Sequence, residues 1–346
     1  MGYNIFTYNS SSLKNNTKGN WIIPLNSTGT GTGVSTLKLT VSDTTTMYIT
    51  GAGKFYTDAA GTLGESTTVT ITSGASRTFY LKVTTGTSNI IIYRGNSCVT
   101  KLDEWTSSTN AANINLMNLN SIPFVMTYFF CAGNNTITGD LSNLSNIITY
   151  FNCQGNNTVT GDLSNLPTVM NTFLCTGSSV ITGNLSSLPT VMTFFYCAGT
   201  NTITGNLSSL SSIITYFICY GYNTITGNLS SLPSVMTYFN CTGNNTITGN
   251  LSSLPTVMTY FNCYGSNTIQ QYTGKTWANN MQRVYLRSNT ATNLTAQMND
   301  QLLIDLNNAG GTWSVEKIIN LKGTRTTASD SAVASLVTKG VTVTVN

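Results

Sequence analysis

Cys131, Cys153, Cys175, Cys197, Cys219, Cys241 and Cys263 stand 22 residues apart. Thiols at a fixed spacing could ligate a metal, pair as disulfides or supply a nucleophile. A zinc site needs four ligands converging from tetrahedral directions. One thiol per strand instead gives a straight ladder at ~4.8 Å spacing, which does not converge. Disulfides would need an oxidising compartment and rotated Cβ vectors. The cysteines therefore read as small buried hydrophobes, with no metal and no cofactor expected. Cys98 stands outside this array, and its surroundings cannot be assigned from sequence. The chain contains no His, which removes the commonest general base and the Ser-His and Cys-His nucleophile pairs. Asp140 and Asp162 hold a slot that Asn takes in other repeats and read as turn residues, with no base or nucleophile beside them. Asp103-Glu104, beside Trp105, reads as orienting a domain junction. No catalytic residue is assigned, and an enzyme is not expected.

Binding chemistry is better represented. One row of the repeats carries Tyr128, Tyr150, Thr172, Phe194, Tyr216, Tyr238 and Tyr260; another carries Phe130, Asn152, Leu174, Tyr196, Ile218, Asn240 and Asn262. Aromatic rings stack on the apolar faces of sugars and amides bridge hydroxyls, so an uncharged ladder of both suits neutral, hydroxyl-rich ligands. The candidate ligand-binding residues are Tyr128, Tyr150, Phe194, Tyr196, Tyr216, Tyr238 and Tyr260. Equally, the rings could stack on one another and stabilise a sheet, at ~0.2–1 kcal/mol per cross-strand pair. Both uses remain open at this point.

The elements that must position these rows follow from composition. Of 346 residues, 40% are hydrophobic and only 8% charged, against about 25% charged in an ordinary soluble domain. With 17 Tyr and 13 Phe the chain is not of disordered type. A net charge of +4 is too small and scattered for a nucleic-acid surface. No apolar run of about 18 residues exists, so no membrane insertion is expected. From Leu102 to Gly274 there is no Lys or Arg, whereas both ends carry ordinary charge. Three domains follow, at 1–105, 106–273 and 274–346.

Residues 1–105 read as an antiparallel β-sandwich-like domain for attachment or oligomerisation. Alternating runs lie at Leu37–Val41, Met47–Ile49, Thr68–Thr72, Thr78–Val83 and Ile90–Tyr93 between Gly, Asp, Asn and Ser breaks. The glycine-rich stretch Asn26–Gly33 lacks the Gly-Lys-Ser/Thr of a phosphate loop and reads as a flexible turn. The Met1–Asn9 segment lacks the basic and apolar regions of a secretory signal, so synthesis and folding in a cytoplasm are expected. Asn-x-Ser/Thr sites such as Asn135 and Asn206 are then turn and ladder residues.

Residues 106–273 hold seven 22-residue repeats, and a period of this size marks a solenoid. Five positions before each Cys stands Met or Ile (Met126, Ile148, Met170, Met192, Ile214, Met236, Met258), and two before it always Phe, from Phe129 to Phe261. This apolar–x–x–Phe–x–Cys run resembles the L-x-x-L-x-L strand of the leucine-rich-repeat superfamily, and Asn245–Leu251 is similar to the N-x-L-(S/T)-G-x-I turn of its plant-type members. The resemblance covers about 118–346 and implies a parallel β solenoid whose x positions face a concave surface. One departure is that the Asn follows the Cys by four, as from Cys241 to Asn245, rather than by three. A Gly two after each Cys, such as Gly243, is expected to absorb the extra residue as a bulge or left-handed turn.

Residues 274–346 read as a β-α-β-α-β C-terminal cap. Met281, Val284 and Leu286 fit the repeat strand; Leu294, Met298, Leu302 and Leu306 share a helical face stopped at Gly310-Gly311. Lys317–Leu321 is a strand, Thr327 and Asp330 suggest an N-cap, Val333, Leu336 and Val337 a buried face, and Val341–Val345 a last strand.

Near-identical, charge-poor repeats behind an N-terminal β module are similar to leucine-rich-repeat proteins of bacteriophage virions. That resemblance implies a head or tail fibre or decoration protein at the virion surface. It would be homo-oligomeric, held to other virion proteins through its N-terminal domain, and would attach to host-surface or mucus polysaccharide. The alternative is a bacterial cell-surface leucine-rich-repeat adhesin. The Thr-x-Thr pairs, such as Thr202-Ile-Thr204 and Thr246-Ile-Thr248, resemble the threonine ladders of ice-binding solenoids, a third and weaker reading broken by Val180 and Gln270.

Overall fold

A computed structural model describes residues 19–27, 34–83, 86–93, 95–107, 116–132, 136–155, 157–288, 294–309, 313 and 316–346. Met1–Asn9, positions 28–33 of the glycine-rich stretch, Asn135 and Gly310-Gly311 lie outside the described residues. The chain divides into two compact units, Met1–Ile148 and Thr149–Asn346.

The first unit carries two antiparallel sheets. One has the order Trp21–Ser27, Gly86–Ile92, Thr45–Thr50, Thr68–Ile71. The other joins Gly53–Tyr56, Ser76–Val83, Ser35–Val41 and Val99–Ser107. Alternation is visible in Ser35–Val41, where every second residue is buried, as a half-buried strand requires. Trp21–Ser27, Gly53–Tyr56 and Val99–Ser107 are strands beyond those predicted. Val99–Ser107 changes the pairing mode, lying antiparallel to Ser35–Val41 and parallel to the first repeat strand, Tyr128–Cys131. Asp103 within it accepts hydrogen bonds from Thr40 (2.5 Å) and Ser76 (2.8 Å), and Glu104 from Thr106 (3.0 Å). Both acids thus fasten a strand. Cys98 is buried just before it.

The second unit is mainly β, with repeating strands in parallel sheets, the arrangement of a solenoid. One sheet, here the tyrosine sheet, runs through Tyr150–Cys153, Thr172–Cys175, the start of Phe194–Asn206, Tyr216–Gly221, Tyr238–Thr242 and Tyr260–Gly265. Each strand pairs with the next in strict 22-residue register, Phe on Phe and Cys on Cys. These Phe and Cys side chains are fully buried, as the inward slots demand, and the cysteines are free thiols. The phenyl rings form an interior stack with centroids 5.4–5.8 Å apart from Phe151 to Phe261.

The other sheet, the threonine sheet, contains Thr158–Asp162, Val180–Asn184, the end of Phe194–Asn206, Thr224–Asn228, Thr246–Asn250 and Thr268–Gln271. Here the coils are staggered: Thr182 pairs with Thr202, Thr204 with Thr224, and Thr226 with Thr246. A short 3₁₀ turn follows each of the first five strands, and its preceding Asp or Asn accepts from the backbone two residues on, as Asp162 does from Ser164 N (2.9 Å) and Asn228 from Ser230 N (3.0 Å). This Asx cap explains why Asp and Asn interchange in the slot.

The displaced asparagine has a definite job. Asn201, Asn223, Asn245 and Asn267 are fully buried. Their Oδ1 atoms accept from the backbone N–H of Ile181, Ile203, Ile225 and Ile247 in the preceding coil, each at 2.9 Å. The Gly two after the Cys makes this possible. Gly221 has φ of +139°, and an added Cβ would come within 2.8 Å of the Asn201 carbonyl, so no L side chain fits.

After Gly265 the tyrosine sheet continues with Arg283–Ser288, Ile318–Leu321 and Thr342–Val345, all parallel. Helices Ala296–Asn308 and Asp330–Thr338 connect them. The first helix is capped by Thr295, whose hydroxyl accepts from Met298 N (3.3 Å), and buries Leu302, Leu303 and Leu306. At the second, two expectations are corrected. The helix's own N-cap, Ser329, makes no side-chain cap bond; the Thr326 hydroxyl, rather than Thr327, caps the 3₁₀ turn Thr327–Ser329 just before it, accepting from Ala328 N (3.1 Å). Val337 is 56% exposed and Val333 half-buried rather than buried, because this nine-residue helix turns only Ala332 and Leu336 inward. Among the described residues no helix is long and apolar enough to cross a membrane.

Candidate functional site

The outward positions of the tyrosine sheet bring four predicted residues together. Phe194, Tyr216, Tyr238 and Tyr260 stack face to face, with centroids 4.2, 4.2 and 3.9 Å apart and planes within 22° of parallel. The cause is register. Each ring stands directly opposite the next across adjacent strands, closer than the pleat spacing itself, and offset stacking is favourable there. A sugar can therefore not lie on the ring faces inside this stack, and only edges and hydroxyls point outward. Phe194, Tyr216 and Tyr238 remain half-buried, whereas Tyr260 is 3% exposed. Arg283 covers it, donating from Nη1 to the phenol oxygen at 3.0 Å with its guanidinium carbon 5.4 Å from the ring centroid.

The stack stops at Thr172, which pairs with both Tyr150 and Phe194. One face of Phe194 therefore looks over a small hydroxyl side chain rather than a ring. Tyr150 is half-buried and accepts from Asn152 Nδ2 at 3.3 Å. Tyr196 packs edge-on against Tyr220, 6.3 Å between centroids. Tyr128 belongs to the first unit, where it pairs with Lys101.

The second predicted outward row lies deeper than expected. Asn152, Leu174, Ile218, Asn240 and Asn262 are all buried, and tyrosine hydroxyls reach Asn152 and Asn240. Asn240 Nδ2 donates to the Tyr220 hydroxyl and lies 3.4 Å from that of Tyr260. Burial pushes the phenols of Tyr216 and Tyr220 above the ordinary value. Burial, and then the neighbouring Tyr260, pushes that of Tyr238 up as well. All three are neutral donors near neutral pH. From Thr172 to Tyr238 the outward slots hold no charged side chain and offer O–H and amide groups; charge enters at Tyr260, through Arg283 and its partner Glu316.

Sequence reasoning missed the continuation of this face. Beyond the last Tyr lies an open cavity of about 580 Å³ lined by Thr242, Asn262, Tyr264, Arg283, Tyr285, Arg287 and Lys322. Arg283 and Arg287 occupy the same outward slots as Tyr260 and Tyr264. The available signal was the return of positive charge at x positions of the Met281–Leu286 strand.

The threonine sheet presents exposed hydroxyl rows at Thr202, Thr204, Thr224, Thr226, Thr246 and Thr248. Three of these hydroxyls donate inward, Thr204 to Gly183 O (3.3 Å), Thr226 to Gly205 O (3.3 Å) and Thr248 to Gly227 O (3.4 Å). The two-residue stagger makes the rows an oblique lattice rather than two straight ranks. Among the described residues no three or more His, Cys, Asp or Glu side chains are placed to share a metal ion.

The fold is similar to that of a solved plant peptide hormone receptor, RGFR1 in complex with RGF2. The TM-score is 0.40 at 16% identity, covering 59% of this chain. The chain spans about one third of that receptor chain's length. No family model matches the chain, and no curated protein does.

Proposed function

We propose that the chain is a non-enzymatic binding protein of a bacteriophage virion, a fibre or decoration protein that attaches to neutral host-surface or mucus glycans along the outward face of its tyrosine sheet. One observation carries this reading: the outward slots from Thr172 to Tyr238 carry no charged side chain and present the half-buried phenol edges of Tyr216 and Tyr238 beside amides. Phenol O–H groups and amides are the donors and acceptors that polyhydroxylated ligands take up. The sugar rings would meet hydroxyls and ring edges, and a ring face only over Thr172.

The N-terminal antiparallel sheets act as a sandwich-like anchor to other virion proteins, and the C-terminal β–α units cap the solenoid edge. An aliphatic row, Val169, Val191, Ile213, Val235 and Val257, each 41–46% exposed, offers a surface for self-association, which would multiply weak sugar contacts by avidity.

The continuous face-to-face stacking favours a second reading, in which the rings serve the sheet and the repeats are a rigid neutral spacer. A glycan array with whole-cell binding, on purified protein of known oligomeric state, separates the two. Binding to neutral glycans or cells supports attachment, and a stable oligomer that binds neither supports the spacer.

A further inference from the structure

We propose that the cavity beyond Tyr260 is an acidic-saccharide site, which receives a sugar bearing a carboxylate, sulfate or phosphate. The proposal rests on the glycan-binding reading and adds a ligand class to it. Its walls are built from strands Thr242, Asn262–Tyr264 and Arg283–Arg287, with Lys322 just after the next strand. Three cations line it after a run of more than 170 positions without a Lys or Arg, Leu102 to Gly274.

The cations are not equivalent. Arg283 is committed, with Nε 2.8 Å from the Glu316 carboxylate and Nη1 on Tyr260. Arg287 pairs with no carboxylate among the described residues, and the residue is half-buried where it lines the cavity. A guanidinium with no carboxylate partner at a cavity wall suits a bidentate oxyanion, which its planar fork matches.

Asn262 supplies the second requirement. It is 8% exposed, lines the cavity, and its Oδ1 has no hydrogen-bond donor. A buried acceptor without a donor is costly, and rotation about the soft χ2 torsion of Asn turns it to the cavity. Sulfate has no O–H to give it; a polyol does. Tyr264, 41% exposed, and Tyr285 add ring surface for the sugar body. The volume lies within the range of small-ligand sites, roughly 300–1,000 Å³. Oxyanion receptor, hydroxyl acceptor and aromatic walls meet in one ligand class, an anionic group on a polyhydroxylated ring.

The test is calorimetric titration of the full chain with four probes: oligogalacturonate, neutral oligogalactose of equal length, a sulfated oligogalactose, and inorganic sulfate. The expected result is that one or both acidic oligosaccharides bind at least tenfold more tightly than the neutral one and than sulfate. Arg287→Gln should remove that margin, and raised salt should shrink it. Which acidic probe binds identifies the anionic group. Equal affinity for acidic and neutral sugars, equal affinity for sulfate alone, unaltered binding in folded Arg287→Gln, or no acidic binding would each overturn the proposal. Neutral binding to the tyrosine face is read separately through Tyr216→Phe/Tyr238→Phe, so the cavity and the broader attachment reading fail independently. Thermal melting of each variant confirms folding.

Discussion

Within the second unit, two stretches share one sheet and differ in what they show to solvent. From Tyr150 to Gly265 every inward pair is Phe with Cys; from Arg283 to Val345 it becomes Val284 with Leu286, Ile319 with Leu321, and Val343 with Val345, in unbroken parallel register. A large and a small residue give way to two of middle size, which holds the interior volume, and cores tolerate such exchanges best. The outward slots change independently, from stacked phenols to Arg283 and Arg287. Inward positions maintain the coil, and outward ones are free to carry chemistry.

The largest effect that would sharpen this contrast lies in the interior. Phe217→Ala should cost about 3–5 kcal/mol, leaving a void in a continuous ring stack. Val284→Ala, in the equivalent slot, should cost about 2 kcal/mol or less, since less apolar surface is lost. Urea unfolding compares them, and equal costs would break the claim that the repeat core depends more on its rings.

Asp300 distinguishes the C-terminal stretch next. It accepts from the Ser329 hydroxyl (2.6 Å), the Thr326 hydroxyl (2.6 Å) and Thr326 N (3.0 Å). Burial alone would raise its carboxyl, but the Ser329 and Thr326 hydrogen bonds outweigh it and hold the group below the usual carboxylate range. Asp300→Asn should cost about 2–3 kcal/mol at neutral pH. Because the folded value is lowered, the contribution is complete above the unfolded value of about 3.9 and disappears as pH falls through the folded one. Melting temperature against pH for wild type and variant, converging in acid, checks it.

Thr172→Tyr addresses the repeats. Completing the ring row between Tyr150 and Phe194 should add roughly 0.5–1.5 kcal/mol, read by thermal melting. A destabilised variant would mean that the gap is filled by something a ring displaces. The smallest effect is at Asp162, held below the usual range by the Ser164 backbone N–H, then the Ser164 and Thr182 hydroxyls. Asp162→Asn should leave neutral stability unchanged and flatten its fall below about pH 3.9, because Asn makes the same Asx cap in Asn184 and Asn206.

Much of this was legible because each coil repeats it. The 22-residue register, the inward Phe and Cys and the Asx slot recur in sequence and reappear as ladders. The spacing flagged the displaced Asn but not its bond to the preceding coil, since a hydrogen bond between coils leaves no trace in period. The stagger of the threonine sheet was hidden for the same reason, because sliding two residues per coil preserves the repeat. The face-to-face stacking of Tyr216 and Tyr238 was one of two open readings, and only interplanar geometry shows that the faces are covered. The cavity escaped because Asn262, Arg287 and Lys322 lie in or just after three successive strands of the sheet, the last two joined through a helix. No linear motif unites them.

The central claim is that the phenol edges of Tyr216 and Tyr238, in slots without charged side chains, take neutral glycan, and Tyr216→Phe/Tyr238→Phe tests it most directly. The exchange keeps both rings in the stack and removes their hydroxyls, which also hydrogen-bond along the row from Tyr216 to Tyr238 and Tyr260. The account predicts a folded variant with a melting temperature lowered by no more than the loss of these hydroxyl bonds, about 1 kcal/mol each, and at least tenfold weaker binding of neutral oligosaccharide or host cells. Undiminished binding by the folded double variant would contradict it and leave the ladder a purely structural stack.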